Sequence, residues 1–458
     1  MNRGEVDFRR YIAITAVIIV LVMTVLDVSV VNVALPVLSQ EFSVDESVTV
    51  WVVTIYQLII VMLLLPLSSV GDQYGYRRNF LTGVIVFTTG SALCSFSYSF
   101  AMLLISRAIQ AIGAAGIMSV NVALTRTIYP RNILGRGLAL NAMFISAATA
   151  SGPGLAGWIM SVASWHWLFL INVPLGIIAY FIGRKVLPEN PGLPENPHFD
   201  IKSGILNVIV FGLIFYSLGS IARKGDLGLA ISLLVVAIVV GIFYIKSQSK
   251  AHHPILPVDL FKNRLYSMSI GTNVCSFIAQ NIAMISLPFL FLTGLGFSEL
   301  TTGLLMTPWP VATMIISPIA ARIIEKHNPA FVAATGMLIY SAGVVLMIFL
   351  PSHVGISDVW WRMALCGMGF GFFQTPNNIV MVMATPVERT GAAGGMQSTA
   401  RLTGQTFGST IVTIVFSFVI AVAGAVRISL YIALGFAIIA LVFSLFRGQR
   451  IIHDNTHL

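Results

Sequence analysis

The stretch from Tyr11 to Val33, YIAITAVIIVLVMTVLDVSVVNV, is almost wholly apolar and carries a single acid, Asp27. About 20 such residues cross the hydrocarbon core of a bilayer. An ionised Asp near the middle of that crossing costs roughly 2.5–3.5 kcal/mol on insertion scales. The carboxylate must therefore be paired, wetted or protonated, or be packed as a structural polar group. It is too short and too deep to reach the interface. Apolar runs of this length recur to the end of the chain. Of its 458 residues 57% are hydrophobic and 9% charged, whereas soluble domains carry about 25% charged residues. The sequence is that of an all-α polytopic membrane protein. Tyr11–Val33 is too long for a signal-peptide core, so its removal is not expected.

Fourteen membrane helices are expected, at about 11–34, 48–69, 79–98, 101–125, 137–162, 166–186, 201–222, 227–247, 266–292, 301–324, 330–350, 358–384, 393–423 and 427–446. An even number puts both termini on one side. Arg223, Lys224, Arg362 and Arg427 fall on the opposite side and Arg107 and Arg401 within helices. The other Lys and Arg share the side of the N-terminus, which places both ends in the cytoplasm. The formal charge of +9 is thus accounted for by the loops. The basic residues form no run, and no nucleic-acid partner is expected.

Two polar connections, LPENPGLPENPHFD (Leu187–Asp200) and KSQSKAHHPILPVDLFKNR (Lys246–Arg264), bracket the seventh and eighth helices. They divide the chain into an N-terminal six-helix bundle (1–186), a central segment with two extra helices (187–265), a C-terminal six-helix bundle (266–450) and a short tail (451–458). The bundles echo one another. Ser68 stands four residues before Asp72, and Ala321 four before Glu325, each pair at the end of the second helix of its block, with basic residues following. A duplicated bundle with a site between its halves is a recurring transporter design.

The polar residues inside the runs carry the chemistry. Asp27 lies roughly 24 Å above the cytoplasmic boundary, and Arg107 roughly 9 Å below the outer one, at 1.5 Å per residue. In a core about 30 Å thick these depths nearly coincide. The two can form either a static ion pair or one in which Asp27 exchanges Arg107 for a proton. Asp72, in GDQYGYRR, sits by a turn allowed by Gly75, with Arg77 and Arg78 behind it, and can cap a helix or latch the halves by pairing with an Arg. SGPGLAG places Gly152, Pro153 and Gly157 inside the fifth helix, where they permit bending and close helix approach. Arg401 is either buried or snorkels to the headgroups. A cavity lined by Asn32, Trp51, Tyr56, Gln57, Asn141, Gln280, Asn281, Gln374, Asn377 and Arg401 would take a small amphipathic organic molecule. Cys94, Cys275 and Cys366 lie in apolar runs and give neither a disulfide framework nor metal-ligand spacing. No helix carries a paired acid and base or a nucleophile triad, so an enzyme is not expected. No cytoplasmic segment is long enough for a signalling domain.

LDVSVVNVALP (Leu26–Pro36), WVVTIYQL (Trp51–Leu58), GDQYGYRR, RAIQAIGAAG (Arg107–Gly116), SGPGLAG and WHWLFLINVPLG (Trp165–Gly176) stand in the order seen in drug:proton antiporters of the major facilitator superfamily. The chain resembles the fourteen-helix, EmrB/QacA-type subfamily, and FDIKSG, PILPVDLF and STARLTG extend the match. The resemblance implies two six-helix bundles plus two central helices. It implies a proton-coupled exporter of amphipathic compounds or drugs in a bacterial cytoplasmic membrane. No cofactor is implied beyond the proton gradient, and a monomer is expected, with any adaptor unspecified. It makes Asp27 and Arg107 the proton-coupling residues, Asp72 the gating acid, and Gly152, Pro153 and Gly157 the antiporter motif. Gln73, Tyr76, Ser68, Ala111 and His166 depart from the family pattern. No further acid stands in the late helices, which points to one proton site. A carrier dedicated to one sugar, peptide or siderophore is the alternative.

Overall fold

The computed structural model describes residues 3–129, 134–189, 199–222, 226–250, 254–351, 354–385 and 390–455. Every regular element among them is helical. Fourteen helical segments follow in order: α1 Arg3–Phe42, α2 Glu46–Tyr74, α3 Tyr76–Ser95, α4 Phe100–Ile128, α5 Leu134–Val162, α6 His166–Val186, α7 Ile201–Ala222, α8 Leu227–Gln248, α9 Arg264–Phe289, α10 Glu299–Ile323, α11 Pro329–Ile348, α12 Ile356–Met383, α13 Thr390–Phe418 and α14 Val422–Asn455. Polar residues between the apolar runs start several of them. Ser99, Asp226, Asn263, Ser298 and Asn328 accept backbone N–H bonds from the first turns of α4, α8, α9, α10 and α11, satisfying donors that a helix start leaves free.

Ten segments are long and apolar enough to cross a membrane among the described residues. The other four, α3, α5, α12 and α13, are rich in Gly, Ser, Thr or amides, which lowers their hydropathy although each has the length of a span. The structure departs from the expected boundaries near the C-terminus. The run expected to stay helical to 423 breaks after Phe418, and α14 begins at Val422 and continues to Asn455. No proline or polar residue marks that break.

Each half packs its third helix on its fourth backbone to backbone. A Cβ on Gly113 of α4 would collide with the Phe87 backbone of α3, and one on Gly369 of α12 with the Tyr340 backbone of α11. Small residues of this kind let membrane helices approach closely. One apolar core fills the N-terminal half, from Ala13 through Tyr56, Phe87 and Ile117 to Leu187. A second fills the C-terminal half and runs on into the first half through Val33, Leu35, Leu38, Ala156, Trp165 and Phe169. The halves therefore share a core at the end where Phe42 meets Phe100 and Trp165, at ring distances of 6.0 and 5.5 Å.

The central pair lies at the seam. Asn207 of α7 donates to the Met62 carbonyl of α2 at 2.7 Å, and Phe215 of α7 meets Phe407 of α13 at 4.9 Å, so α7 touches both halves. α8 packs on α7 and leaves Ile231, Val235, Val239 and Phe243 exposed. A continuous exposed apolar face of this kind is made for lipid.

Candidate functional site

Two sites lie next to each other: a sealed ion pair within the N-terminal half and an open cavity between the halves. Arg107 Nη1 of α4 donates to Asp27 Oδ2 of α1 at 2.5 Å, and both side chains are fully covered. Gln110 Nε2 donates to Asp27 Oδ1 at 2.7 Å and to Ser91 Oγ at 2.8 Å. Asn172 Nδ2 of α6 reaches Asp27 Oδ1 at 3.4 Å. Arg107 also donates through Nε to the Val52 carbonyl at 3.2 Å and through Nη1 to Gln110 Oε1 at 2.6 Å, while Nη2 has no partner. Its guanidinium lies 4.1 Å from the centre of the Tyr56 ring. The helix 4 motif thus supplies two groups rather than one. Gln110 follows Arg107 by three residues, so both face α1. That spacing stands in the sequence, and the structure adds Gln110 to the pair.

The cavity, about 200 Å³, lies between the halves. Asn32, Tyr56, Gln57, Gln280, Asn281, Gln374 and Arg401 line it, as the sequence suggested, together with Pro153. Gln57 Nε2 of α2 donates to Asn281 Oδ1 of α9 at 3.4 Å, and Asn281 donates to the Gln405 carbonyl of α13 at 2.6 Å, so an amide bridge crosses the seam. Phe277, Trp309, Phe370, Met118, Met284, Met306 and Met314 bring the apolar surface. Asp27 and Arg107 are absent from this lining. Tyr56 belongs to both sites, its ring stacked on Arg107 and the residue part of the cavity wall.

Three expected lining residues stand elsewhere. Trp51 packs against Gly219 of α7, where a Cβ would be 2.7 Å from its ring. Asn141 donates to Thr125 Oγ1 at 2.9 Å and ties α5 to α4. Asn377 accepts from Arg447 Nη1 at 2.5 Å, and Arg447 also donates to Ser269 Oγ at 2.9 Å. Charge patterning places Arg447 with the loop cations, whereas the extension of α14 buries it completely. Each of these amides satisfies a helix neighbour, the commoner role of a polar residue in a membrane bundle.

Asp72 accepts from Tyr76 Oη at 2.9 Å, a residue of its own half. Gly75 adopts φ 110°, a conformation that disfavours any side chain, and so makes the α2–α3 corner. Arg77 donates to Glu189 at 3.0 Å and to the Arg184 carbonyl at 2.6 Å, tying that corner to the end of α6, and Arg78 is exposed. The acid and its basic neighbours are thus held within one half here. Gly152 meets Ser29 of α1. A Cβ on Gly157 of α5 would stand 2.7 Å from the Glu299 carbonyl, and one on Gly303 of α10 would strike the Pro153 carbonyl. Bare backbone therefore closes the halves on each other at the Phe42–Trp165 end.

Comparison with known proteins bears on this arrangement. A family model described as Major Facilitator Superfamily matches residues 17–409 and 270–452. The chain is 45% identical to the uncharacterized transporter YebQ of Escherichia coli (strain K12), over 89% of this chain and 90% of that one. It is 28% identical to the riboflavin transporter RibZ of Clostridioides difficile (strain 630), over 86% and 85%. It is 26% identical to the methyl viologen resistance protein SmvA of Salmonella typhimurium (strain 14028s / SGSC 2262), over 90% and 83%. Among solved structures, a POT family transporter in complex with a thioalcohol-conjugated peptide superposes with TM-score 0.72 at 17% identity, over 95% of this chain and 96% of that one. At that identity the likeness speaks for the fold.

Proposed function

The chain belongs to the major facilitator superfamily and is a multi-pass membrane transporter, and from that premise we propose that it is a proton-coupled exporter of amphipathic organic compounds. It would be a drug:proton antiporter of the fourteen-helix, EmrB/QacA-type kind, a monomer in the bacterial cytoplasmic membrane with both termini inside. The observation that carries the reading is the position of Tyr56 between the sealed Asp27–Arg107 pair and the cavity.

The chemistry follows from the contacts. As a carboxylate, Asp27 accepts from Arg107, Gln110 and Asn172. A proton on Asp27 cancels the charge that balances Arg107. The guanidinium then keeps the Val52 carbonyl, Gln110 Oε1 and the Tyr56 face. A buried cation without its counter-charge is costly, so protonation favours a rearrangement, and Tyr56 carries it to the cavity wall. Substrate in the cavity acts on the same ring in the opposite sense. Alternating access is the rocking of the two halves across the seam, with the α5–α10 contact as one closed end and the Asp72, Gly75, Arg77 and Arg78 corner as the gate at the other. Likeness to methyl viologen resistance and multidrug efflux proteins supports export. Likeness to a riboflavin transporter favours the second reading, a carrier dedicated to one metabolite.

The test is uptake of cationic, neutral and anionic amphipathic dyes into everted vesicles under an imposed pH gradient. Wild type should accumulate several of them and Asp27→Asn none, with binding retained. Undiminished uptake in the variant would move the proton site away from Asp27. Uptake of none by wild type would favour the dedicated carrier.

A further inference from the structure

Arg401 is the one charged residue in the cavity lining among the described residues. It is half-buried on α13, one helical turn before Gln405, and both face the cavity. The ion pairs resolved among the described residues engage Arg77, Arg107 and Arg362, and none engages Arg401. Its guanidinium makes no hydrogen bond to a described residue either. The bland role for such a cation, snorkelling to the headgroups, does not fit a side chain that opens on a cavity at the centre of the molecule.

The rest of the wall narrows what could sit there. No carboxylate lines the cavity, since Asp27 is covered by Arg107, Gln110 and Asn172. A lipophilic cation would have no counter-charge and would share the space with a like charge, which is disfavoured at close range. Trp309 lines the cavity, is almost wholly buried, and its indole N–H has no partner. The amide of Asn281 is already spent on Gln57 and the Gln405 carbonyl. Phe277, Phe370, Met284 and Met306 complete an apolar bed.

We propose that the cavity selects amphipathic monoanions, with one carboxylate held by Arg401 and an aromatic or alicyclic body laid against Trp309, Phe277 and Phe370. The planar guanidinium fork matches a single carboxylate through two parallel hydrogen bonds. This assignment names the substrate class for the transport reading above, and it rests on that reading for the step that moves the ligand. Binding alone can test it separately.

The experiment uses the full chain in lipid nanodiscs and two matched pairs of fluorescent probes: anthracene-9-carboxylate against its methyl ester, and pyrenebutyrate against its amide. Affinity is read by fluorescence anisotropy. Wild type should bind each acid at least about tenfold more tightly than its uncharged-end partner, the range that a hydrogen bond to a charged group provides. Arg401→Gln should abolish that preference while the ester and amide affinities stay within about twofold, and Arg401→Lys should keep part of it. Equal affinities within each pair in wild type, a preference that survives in Arg401→Gln, or failure of both acids to bind would each overturn the assignment. The wild-type comparison needs no variant and so does not depend on folding of the substituted chain. Acids that bind through Arg401 but are not moved by a pH gradient would sink the proton-coupled reading and leave this one standing.

Discussion

The Asp27–Arg107 pair is unusual in how many groups converge on it. The carboxylate accepts from three side chains, and the guanidinium also holds a backbone carbonyl and a ring face. Such a pair contributes little against an apolar replacement but leaves a large penalty when one partner goes, roughly 3–5 kcal/mol. Arg107→Gln is therefore expected to lower thermal stability much more than Asp27→Asn combined with Arg107→Gln, because the double variant leaves no bare charge. A thermal unfolding series of the three proteins checks this, and a double variant less stable than Arg107→Gln would mean that the two residues are not coupled. The pair itself was legible in the sequence, since two charges at matching depth in apolar helices have few other partners. Tyr56 as the link was not. A ring that stacks on a cation and one that merely packs look alike until the helices are placed.

At the scale of elements, the two central helices are fastened by a polar chain. Ser203 donates to Asp200 through its backbone N–H at 3.1 Å, and Gln248 Nε2 donates to Ser203 Oγ at 2.7 Å. Gln248 Oε1 accepts from the Ile255 and Leu256 amides at 2.7 and 3.2 Å, which anchors the linker into α9. This explains why FDIKSG and PILPVDLF are distinctive stretches: they are the two ends of one connection. The Ser203 hydroxyl holds the Asp200 carboxyl below the usual range against the opposing effect of burial, with smaller help from the Ser203 and Lys202 backbone N–H groups and the Lys202 charge. A depressed carboxyl stabilises the folded form above its ordinary value near pH 4 and loses that contribution as pH falls. Protease protection of the 254–262 linker should thus be full at neutral pH and decline on acidification. Asp200→Asn should show weaker protection with less pH dependence, and a linker equally protected at both pH values in wild type would contradict this. The seam helices were readable as apolar runs, but their fastening was not, because Gln248 and Ser203 carry no signal until brought together. The break after Phe418 is invisible for a related reason: the apolar run continues across it, and the turn is imposed by packing. That break and the length of α14 place Arg447 inside the C-terminal bundle, where its bonds to Ser269 and Asn377 replace the loop position that charge counting assigned.

For the whole molecule, the sum of the buried charges matters more than any one of them. Asp27 and Arg107 cancel, Arg447 is held inside the C-terminal bundle by Ser269 and Asn377, and Arg401 has no opposite number in the cavity. The empty carrier therefore holds one uncompensated positive charge between its halves. A membrane potential acts on such a charge with about 2.3 kcal/mol per elementary charge per 100 mV, for the fraction of the field it crosses. A bound monoanion removes it, so the loaded step would feel almost no voltage. A proton on Asp27 adds to it, so the returning, protonated carrier would be drawn toward the negative interior. Current recordings from proteoliposomes on a solid-supported membrane should show charge movement on a proton jump in wild type and less of it in Arg401→Gln. Equal currents in the two would locate the moving charge elsewhere. On this account the unpaired guanidinium of the cavity lets the cell's electrical gradient reset the carrier while the export stroke runs free of it.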